Sequence, residues 1–217
     1  MKKISFILVI FLLASSFVHG QQGNIFQHRL GPQTEAAFLA VCRRISSRPL
    51  LRGNFEQEKF ISSLNRSLRS SGNFIISAGQ GMVWDTVRPF PSTLTLGKDF
   101  IIQSRPGGQK TALSAQGNET FLRLADVISS VFTGNARGLL DNFEVYYLER
   151  NSSWEMALIP FDRAINTFAN IITMNGDAVI RFIHITEQNN DTISYTLTNH
   201  NFPEALNTSE NAHFSLP

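Results

Sequence analysis

The sequence contains a single cysteine, Cys42, in 217 residues. One cysteine excludes an intrachain disulfide framework and every metal site built from several cysteines. Only 17% of the residues are charged, and the 19 basic residues nearly balance the 17 acidic ones. Nucleic-acid affinity comes largely from Lys and Arg contacts to phosphate. We therefore expect no nucleic-acid partner.

Sequence motifs for catalysis and cofactor binding are also missing. The chain has no G-x-S-x-G elbow, no glycine loop that would cradle phosphate and no dinucleotide fingerprint. Its five histidines are scattered, and none forms the helical pair of a zinc protease. Glu56 and Glu58 share one face of a predicted strand, but a solvated strand face is the commoner meaning of such a pair. The sequence therefore predicts a protein that is not an enzyme and has no cofactor.

The one long apolar run lies at the N-terminus. Basic residues 2–3 precede an apolar run over residues 4–14, and small residues follow. This is the pattern of a secretory signal peptide, and the run is shorter than the about 20 residues that span a bilayer. We expect residues 1–20 to be the signal peptide and residues 21–217 to form a single soluble domain outside the cytoplasm. Gln21 follows the expected cut where a bacterial lipoprotein would have cysteine, so no lipid attachment is expected.

Apolar spacing in the rest of the chain predicts helices among many strands. Helices are predicted over residues 34–45, 119–132 and 136–141. Strands are predicted over residues 55–61, 73–77, 81–87, 92–96, 100–104, 143–149, 154–160, 165–174, 178–186 and 192–198. Short turns such as Asn175-Gly176 favour antiparallel neighbours. The predicted fold class is α+β: an incomplete, strongly curled antiparallel β-barrel of about ten to eleven strands, with helices forming a lid over its concave apolar face.

Large apolar side chains recur at alternate positions along these strands. The hydrophobic cavity that we predict is lined by Phe74, Ile76, Met82, Trp84, Leu94, Leu96, Trp154 and Met156 from strands, and by Phe121, Leu124, Ile128 and Val131 from the middle helix. One interpretation is a site for an acyl chain, since lipophile sites are usually lined cavities. The other is a closed core that never opens. The sequence alone does not decide whether residues 74 and 76 share a face with residues 82 and 84.

The most specific motifs lie between residues 52 and 90. They are Arg52-Gly53-Asn54-Phe55-Glu56-Gln57-Glu58-Lys59, Leu68-Arg69-Ser70-Ser71-Gly72-Asn73-Phe74, Gly81-Met82-Val83-Trp84-Asp85-Thr86 and Arg88-Pro89-Phe90. This stretch resembles the N-terminal half of the periplasmic lipoprotein carrier (LolA-like) family. That family shows F-x-Q-x-K on its first strand, small residues and a glycine before its second, and W-x-x-x-x-P on its third. The order of helices and strands also agrees.

The resemblance implies a periplasmic carrier that shields acyl chains inside an incomplete barrel closed by helices. It further implies a monomer without catalytic activity or cofactor. Its cargo would be an acylated lipoprotein or a lipid, received from an inner-membrane donor complex and delivered to an outer-membrane acceptor.

One position departs from the family pattern. The better-known carriers have an arginine at the end of the second strand that holds the lid shut, and that position is Ala78 here. The latch therefore cannot be carried over to this chain. Residues 77–81 and Pro89-Phe90-Pro91 are more similar to divergent LolA-related proteins of lipid or aryl-polyene export systems. The alternative function is thus a carrier of a non-protein lipid that works with an inner-membrane exporter.

Overall fold

The computed structural model describes residues 24–97, 100–108, 110–114 and 127–215. The strands are β1 (Leu50–Ile61), β2 (Arg66–Ser77), β3 (Gly81–Arg88), β4 (Ser92–Gly97), β5 (Phe100–Ser104), β6 (Thr111–Ser114), β7 (Phe143–Arg150), β8 (Ser153–Pro160), β9 (Ile171–Gly176), β10 (Ile180–Thr186) and β11 (Thr192–Asn201). The α-helices are α1 (Glu35–Ser46), α2 (residues 127–133), α3 (Ala136–Asn142), α4 (Arg163–Phe168) and α5 (Thr208–Asn211). Short 3-10 helices cover Ile25–Gln27, Ser62–Leu64 and Ala212–Phe214.

All eleven strands form one sheet in the order β6-β5-β4-β3-β2-β1-β11-β10-β9-β8-β7, and every pairing is antiparallel. Neighbouring strands are consecutive in the chain everywhere except at β1 and β11, whose pairing joins two meanders. In the part of the chain that the structure describes, β6 and β7 lie at opposite edges and do not pair with each other. The sheet is therefore open, and the predicted α+β class with an unclosed barrel is confirmed.

Contacts across the sheet show that it is curled. Trp84 of β3 and Tyr195 of β11 are three strand steps apart, which is about 14 Å in a flat sheet with strands about 4.8 Å apart. Their ring centroids are 5.3 Å apart. The strands therefore bend toward each other on the face that carries these two rings, which is the concave face.

Strand register places the predicted cavity residues on this concave face. Phe74 lies opposite Trp84, and Trp84 lies opposite Leu94. Residues directly opposite each other in an antiparallel sheet share a face. The next row of opposed residues consists of Ile76, Met82 and Leu96. The sequence did not decide whether residues 74 and 76 share a face with residues 82 and 84. The register shows that both pairs point to the same side of the sheet.

The helical layer, which we define as α1, α2 and α3, packs on the concave face. Phe38, Val41 and Cys42 of α1 are buried there, together with Val131 of α2 and Leu139 of α3. Burial raises the pKa of the Cys42 thiol to about 12. The thiol therefore stays protonated and packs as a small apolar side chain.

The predicted strand over residues 165–174 is wrong in its first half. Residues 163–168 form the short helix α4, and the Asp162 side chain caps it by accepting a hydrogen bond from the Ala164 N–H at 2.7 Å. Ile165 is 3% exposed and packs in the core from this helix. A short helix between two strands can bury one apolar side chain as well as a strand can, so apolar spacing alone misplaced it.

The predicted turn at Asn175-Gly176 is also displaced. These residues end β9, and the chain reverses at residues 177–179, where the Asp177 N–H donates to the Val179 carbonyl oxygen at 3.1 Å. A Cβ atom at position 176 would collide with that carbonyl oxygen. Gly176 is thus required by close backbone approach beside the turn.

Several elements extend beyond the predicted bounds. β1 and β2 begin at Leu50 and Arg66, and β6 is an eleventh strand outside the ten predicted segments. Residues 28–30, which lie outside every predicted helix and strand, pair with β7: the Tyr147 N–H donates to the His28 carbonyl oxygen at 2.8 Å. Of the predicted middle helix, residues 127–132 are helical. The rest of that prediction, with Phe121 and Leu124, lies outside the described residues.

Candidate functional site

A cleft of about 420 Å³ opens between the helical layer and one end of the sheet. This end, which we call the lower end, holds the start of β1 and β10 and the finish of β2 and β11. The cleft is lined from the helical side by Cys42, Arg43, Ile45, Ser46, Ser129, Phe132, Thr133, Gly134, Asn135, Ala136 and Arg137, and otherwise by Arg48, Leu51, Ile76, Ala78, Val179, Ile180, Leu197 and Phe202.

The floor of the cleft is apolar. Leu51, Ile76, Leu197 and Ile180 come from β1, β2, β11 and β10, which are adjacent in the centre of the sheet. Ile45 of α1 and Phe132 of α2 line the helical side. The volume lies within the roughly 300–1,000 Å³ typical of small-molecule sites. An apolar floor of this size, reached from solvent, is suited to an alkyl chain.

The rim of the cleft is basic. Arg43, Arg48 and Arg137 line it, and none of its described lining residues is Asp or Glu. Arg48 places its Cζ 3.7 Å from the centroid of the Phe202 ring, a cation–π contact. Arg137 pairs with Asp141 at 3.5 Å between Nε and Oδ2, but the two side chains are 91% and 65% exposed. Such an exposed pair is weak and leaves Arg137 available to another anion.

An aromatic cluster joins the sheet to α2 next to the cleft. Trp84 stacks on Phe55, with centroids 4.2 Å apart, and on Phe74 at 5.8 Å. The edge of Phe132 meets Trp84 at 5.7 Å. Trp84 and Phe132 are only partly buried, whereas Phe55 and Phe74 are 1% exposed. The contact between α2 and the sheet is therefore less buried than the strands beneath it.

The residues predicted to line a cavity fall into four groups. Ile76 is buried at 7% exposure and also lines the cleft. Phe74, Met82, Leu96, Val131, Trp154 and Met156 are buried in the core. Trp84 and Ile128 are partly buried against that core, and Leu94 is 40% exposed on the concave face. Phe121 and Leu124 lie outside the described residues. Contact of any of these side chains with a cargo stays a prediction.

Sequence reasoning missed most of the cleft. Arg43 and Arg44 are neighbours in the sequence, and both are exposed. Arg43 borders the cleft, whereas Arg44 lies 3.8 Å from Glu149. Two adjacent positions, about 100° apart around the helix axis, therefore differ in their contacts, and the only sequence signal was the shared charge. The fold was needed to tell these two arginines apart.

Ala78, at the family's latch position, also lines the cleft. Its backbone N–H donates to the Pro49 carbonyl oxygen at 2.9 Å, which fixes the strand end. Its methyl side chain offers no hydrogen bond to the helical layer. At this position, therefore, no side chain ties the helical layer to the sheet.

The described residues hold no group of three or more His, Cys, Asp or Glu arranged to bind a metal ion. His184 places Nδ1 2.8 Å from the Ser194 hydroxyl oxygen, and burial lowers its pKa. It is a hydrogen-bonded structural histidine. Among the helices described, none has both the length and the apolarity to cross a bilayer.

Comparison with known proteins finds no matching family model and no matching curated protein. Among solved structures, the chain is similar to a LolA superfamily protein of Nitrosomonas europaea, at 8% identity and a TM-score of 0.45 over 83% of this chain and 97% of that one. It is similar to a putative outer membrane lipoprotein-sorting protein domain of Vibrio parahaemolyticus, at 9% identity and a TM-score of 0.42 over 88% and 100% of the two chains. LprF of Mycobacterium bovis matches at 7% identity and a TM-score of 0.39 over 84% and 99%. The family named in the first of these is the one that residues 52–90 resemble.

Proposed function

We propose that this protein is a periplasmic carrier that holds the acyl chains of lipoproteins under its helical layer and delivers them toward the outer membrane. The observation that supports the proposal is the cleft at the lower end, a cavity of about 420 Å³ whose apolar floor comes from four central strands. Most of that floor is covered, since Ile76, Ile180 and Leu197 are 7%, 4% and 2% exposed, and a carrier that shields acyl chains requires such a covered apolar cavity. The proposal includes removal of residues 1–20 and a monomeric domain over residues 21–217.

Carriage of this kind needs no catalysis. Burying an acyl chain is favourable by about 0.8 kcal/mol for each methylene, so shape and hydrophobicity are sufficient for loading. Unloading then requires an acceptor that offers the chains a better site. We therefore propose an inner-membrane donor complex and an outer-membrane acceptor as partners.

A second candidate is carriage of a non-protein lipid, and two observations favour it. Ala78 leaves the helical layer without the family's latch, which suits a different loading cycle. The arginines on the rim also suit a cargo with a charged headgroup, which the acyl chains of a lipoprotein do not supply. Native mass spectrometry of the protein purified from its own periplasm separates the two candidates by the mass of what is bound.

Two serines at the end of α1 provide a matched test of the cleft. Ser46 lines the cleft and Ser47 does not, and both side chains are exposed. Ser46→Trp should fill the cleft and weaken binding of an environment-sensitive acyl probe, while Ser47→Trp should leave binding unchanged. The purified protein should also extract a lipoprotein from membranes. If the folded wild-type protein neither binds the probe nor extracts a lipoprotein, acyl carriage is wrong.

A further inference from the structure

We propose that the rim of the cleft is a headgroup site for an anionic amphiphile, with Arg43, Arg48 and Arg137 binding a carboxylate or phosphate whose alkyl chain lies on the apolar floor. The inference rests on the second candidate function, carriage of a non-protein lipid, and names the class of that lipid. It also predicts the direction in which that cargo enters, chain first from the lower end.

The charges around the cleft are mostly positive. Three guanidinium groups lie on its rim, and its described lining residues include no carboxylate. In the whole chain basic and acidic residues are almost balanced, at 19 to 17. Of the nearby acids, Glu149 lies against Arg44, and Asp141 forms only the weak exposed pair with Arg137. Positive charge is thus concentrated where the cleft meets solvent.

The three arginines come from different parts of the fold. Arg43 is in the last turn of α1, Arg48 lies just beyond that helix, and Arg137 is in the first turn of α3. The contact of Arg48 with the Phe202 ring orients its guanidinium group beside the floor. No ion pair of Arg43 or Arg48 is seen within the described ranges. The rim therefore presents charged donors from two sides of the cleft.

The basic rim and the apolar floor together define the chemistry of a complementary ligand. A guanidinium group binds carboxylate and phosphate through paired N–H donors, and it is less strongly hydrated than an ammonium group. Leu51, Ile76 and Leu197 on the floor offer only apolar surface to whatever lies below the rim. A ligand that satisfies both parts has a compact anionic head and an alkyl chain. A free inorganic anion would leave the floor uncovered, and a neutral acyl chain would leave the arginines without a partner.

The test compares two probes that share one chain, cis-parinaric acid and its methyl ester. Both are titrated into the wild-type protein, into the triple variant Arg43→Gln/Arg48→Gln/Arg137→Gln, and into Arg44→Gln as the matched control. The triple variant should bind the acid about tenfold more weakly, since three exposed charge pairs are each weak but act together. It should bind the ester as the wild-type protein does. Salt should weaken binding of the acid only.

Competition against the bound acid then shows whether the rim binds an anionic amphiphile or a free inorganic anion. Dodecyl phosphate should displace the acid at concentrations at which inorganic phosphate does not. If inorganic phosphate displaces the acid as effectively as dodecyl phosphate does, the rim is a simple anion site and the inference is wrong. Equal binding of acid and ester by the wild-type protein would also overturn it, while leaving acyl carriage intact. Failure of both probes to bind would overturn acyl carriage itself.

Discussion

Replacing Phe132 with alanine tests whether the helical layer is a lid or part of a permanent core. Phe132 meets Trp84 edge-on at 5.7 Å and also lines the cleft. Truncating a fully buried Phe costs about 3–5 kcal/mol, and an aromatic pair contributes about 0.5–1.5 kcal/mol beyond its buried area. Because Phe132 is only partly buried, we expect the free energy of unfolding to fall by about 2 kcal/mol.

The same change should weaken acyl-probe binding. Loss of the ring removes one wall of the cleft, and about 1.4 kcal/mol of lost contact corresponds to tenfold weaker binding. Phe132→Leu keeps an apolar wall and should lose only the aromatic pair, with affinity retained to within about threefold. Stability is measured by chemical denaturation, and affinity by titration of the probe into folded protein.

Leu139→Ala is the matched core control. Leu139 is 1% exposed on α3, next to α2, and does not line the cleft. Its truncation should cost about 2–5 kcal/mol of stability without changing probe affinity. If Phe132→Ala behaves in the same way, with a large loss of stability and unchanged affinity, then α2 belongs to a permanent core and the acyl site lies elsewhere.

Three further predictions follow from the same structure. Ile128→Ala should cost less than the about 2–5 kcal/mol of a buried site and should weaken probe binding, whereas a larger cost with unchanged binding would place Ile128 in a fixed core. The Ser130 hydroxyl is buried and has no hydrogen-bond partner among the described residues, so Ser130→Ala should raise the free energy of unfolding by about 1 kcal/mol, and a loss of stability in denaturation curves would contradict this. Burial lowers the pKa of His184 and of His200 below the ordinary 6.5, so the unfolded chain takes up protons first and stability should fall as the pH drops below about 6.5. The variant His184→Gln/His200→Gln should show a flatter profile between pH 7.5 and 5.5, and an unchanged profile would mean that other groups cause it.

The sequence predicts the local parts of this fold well because hairpins and amphipathic helices depend on neighbours in the chain. It fails where a neighbour in space decides, and once where a local helix cap was overlooked. Ile165 alternates with apolar residues toward Met174 and resembles part of a strand, but the Asp162 cap starts a helix there. Residues 66–72 of β2 are largely polar, so no apolar alternation marks them, yet β1 pairs with them along its length.

The candidate site is predicted less completely, for a related reason. Alternation along each strand identifies the apolar residues of the sheet. Only the register between Phe74 and Trp84 shows that those of neighbouring strands lie on the same side. The cleft joins the end of α1, the region around Phe132 and the ends of four strands, which are far apart in the chain. Only the folded structure therefore shows that Arg43 borders the cleft and that Arg44 does not.

The pairing of β1 with β11 has a consequence for the order of folding. Strands β1 to β6 and β7 to β11 are each built from consecutive neighbours, so each group closes through short loops. A single seam between residues 52–60 and residues 192–201 connects them, and it spans most of the chain. Loop closure over such a distance is slow, so each meander should be able to form before the seam does. The floor of the cleft crosses that seam, with Leu51 on one side and Leu197 on the other, and thus exists only once the last strand has docked.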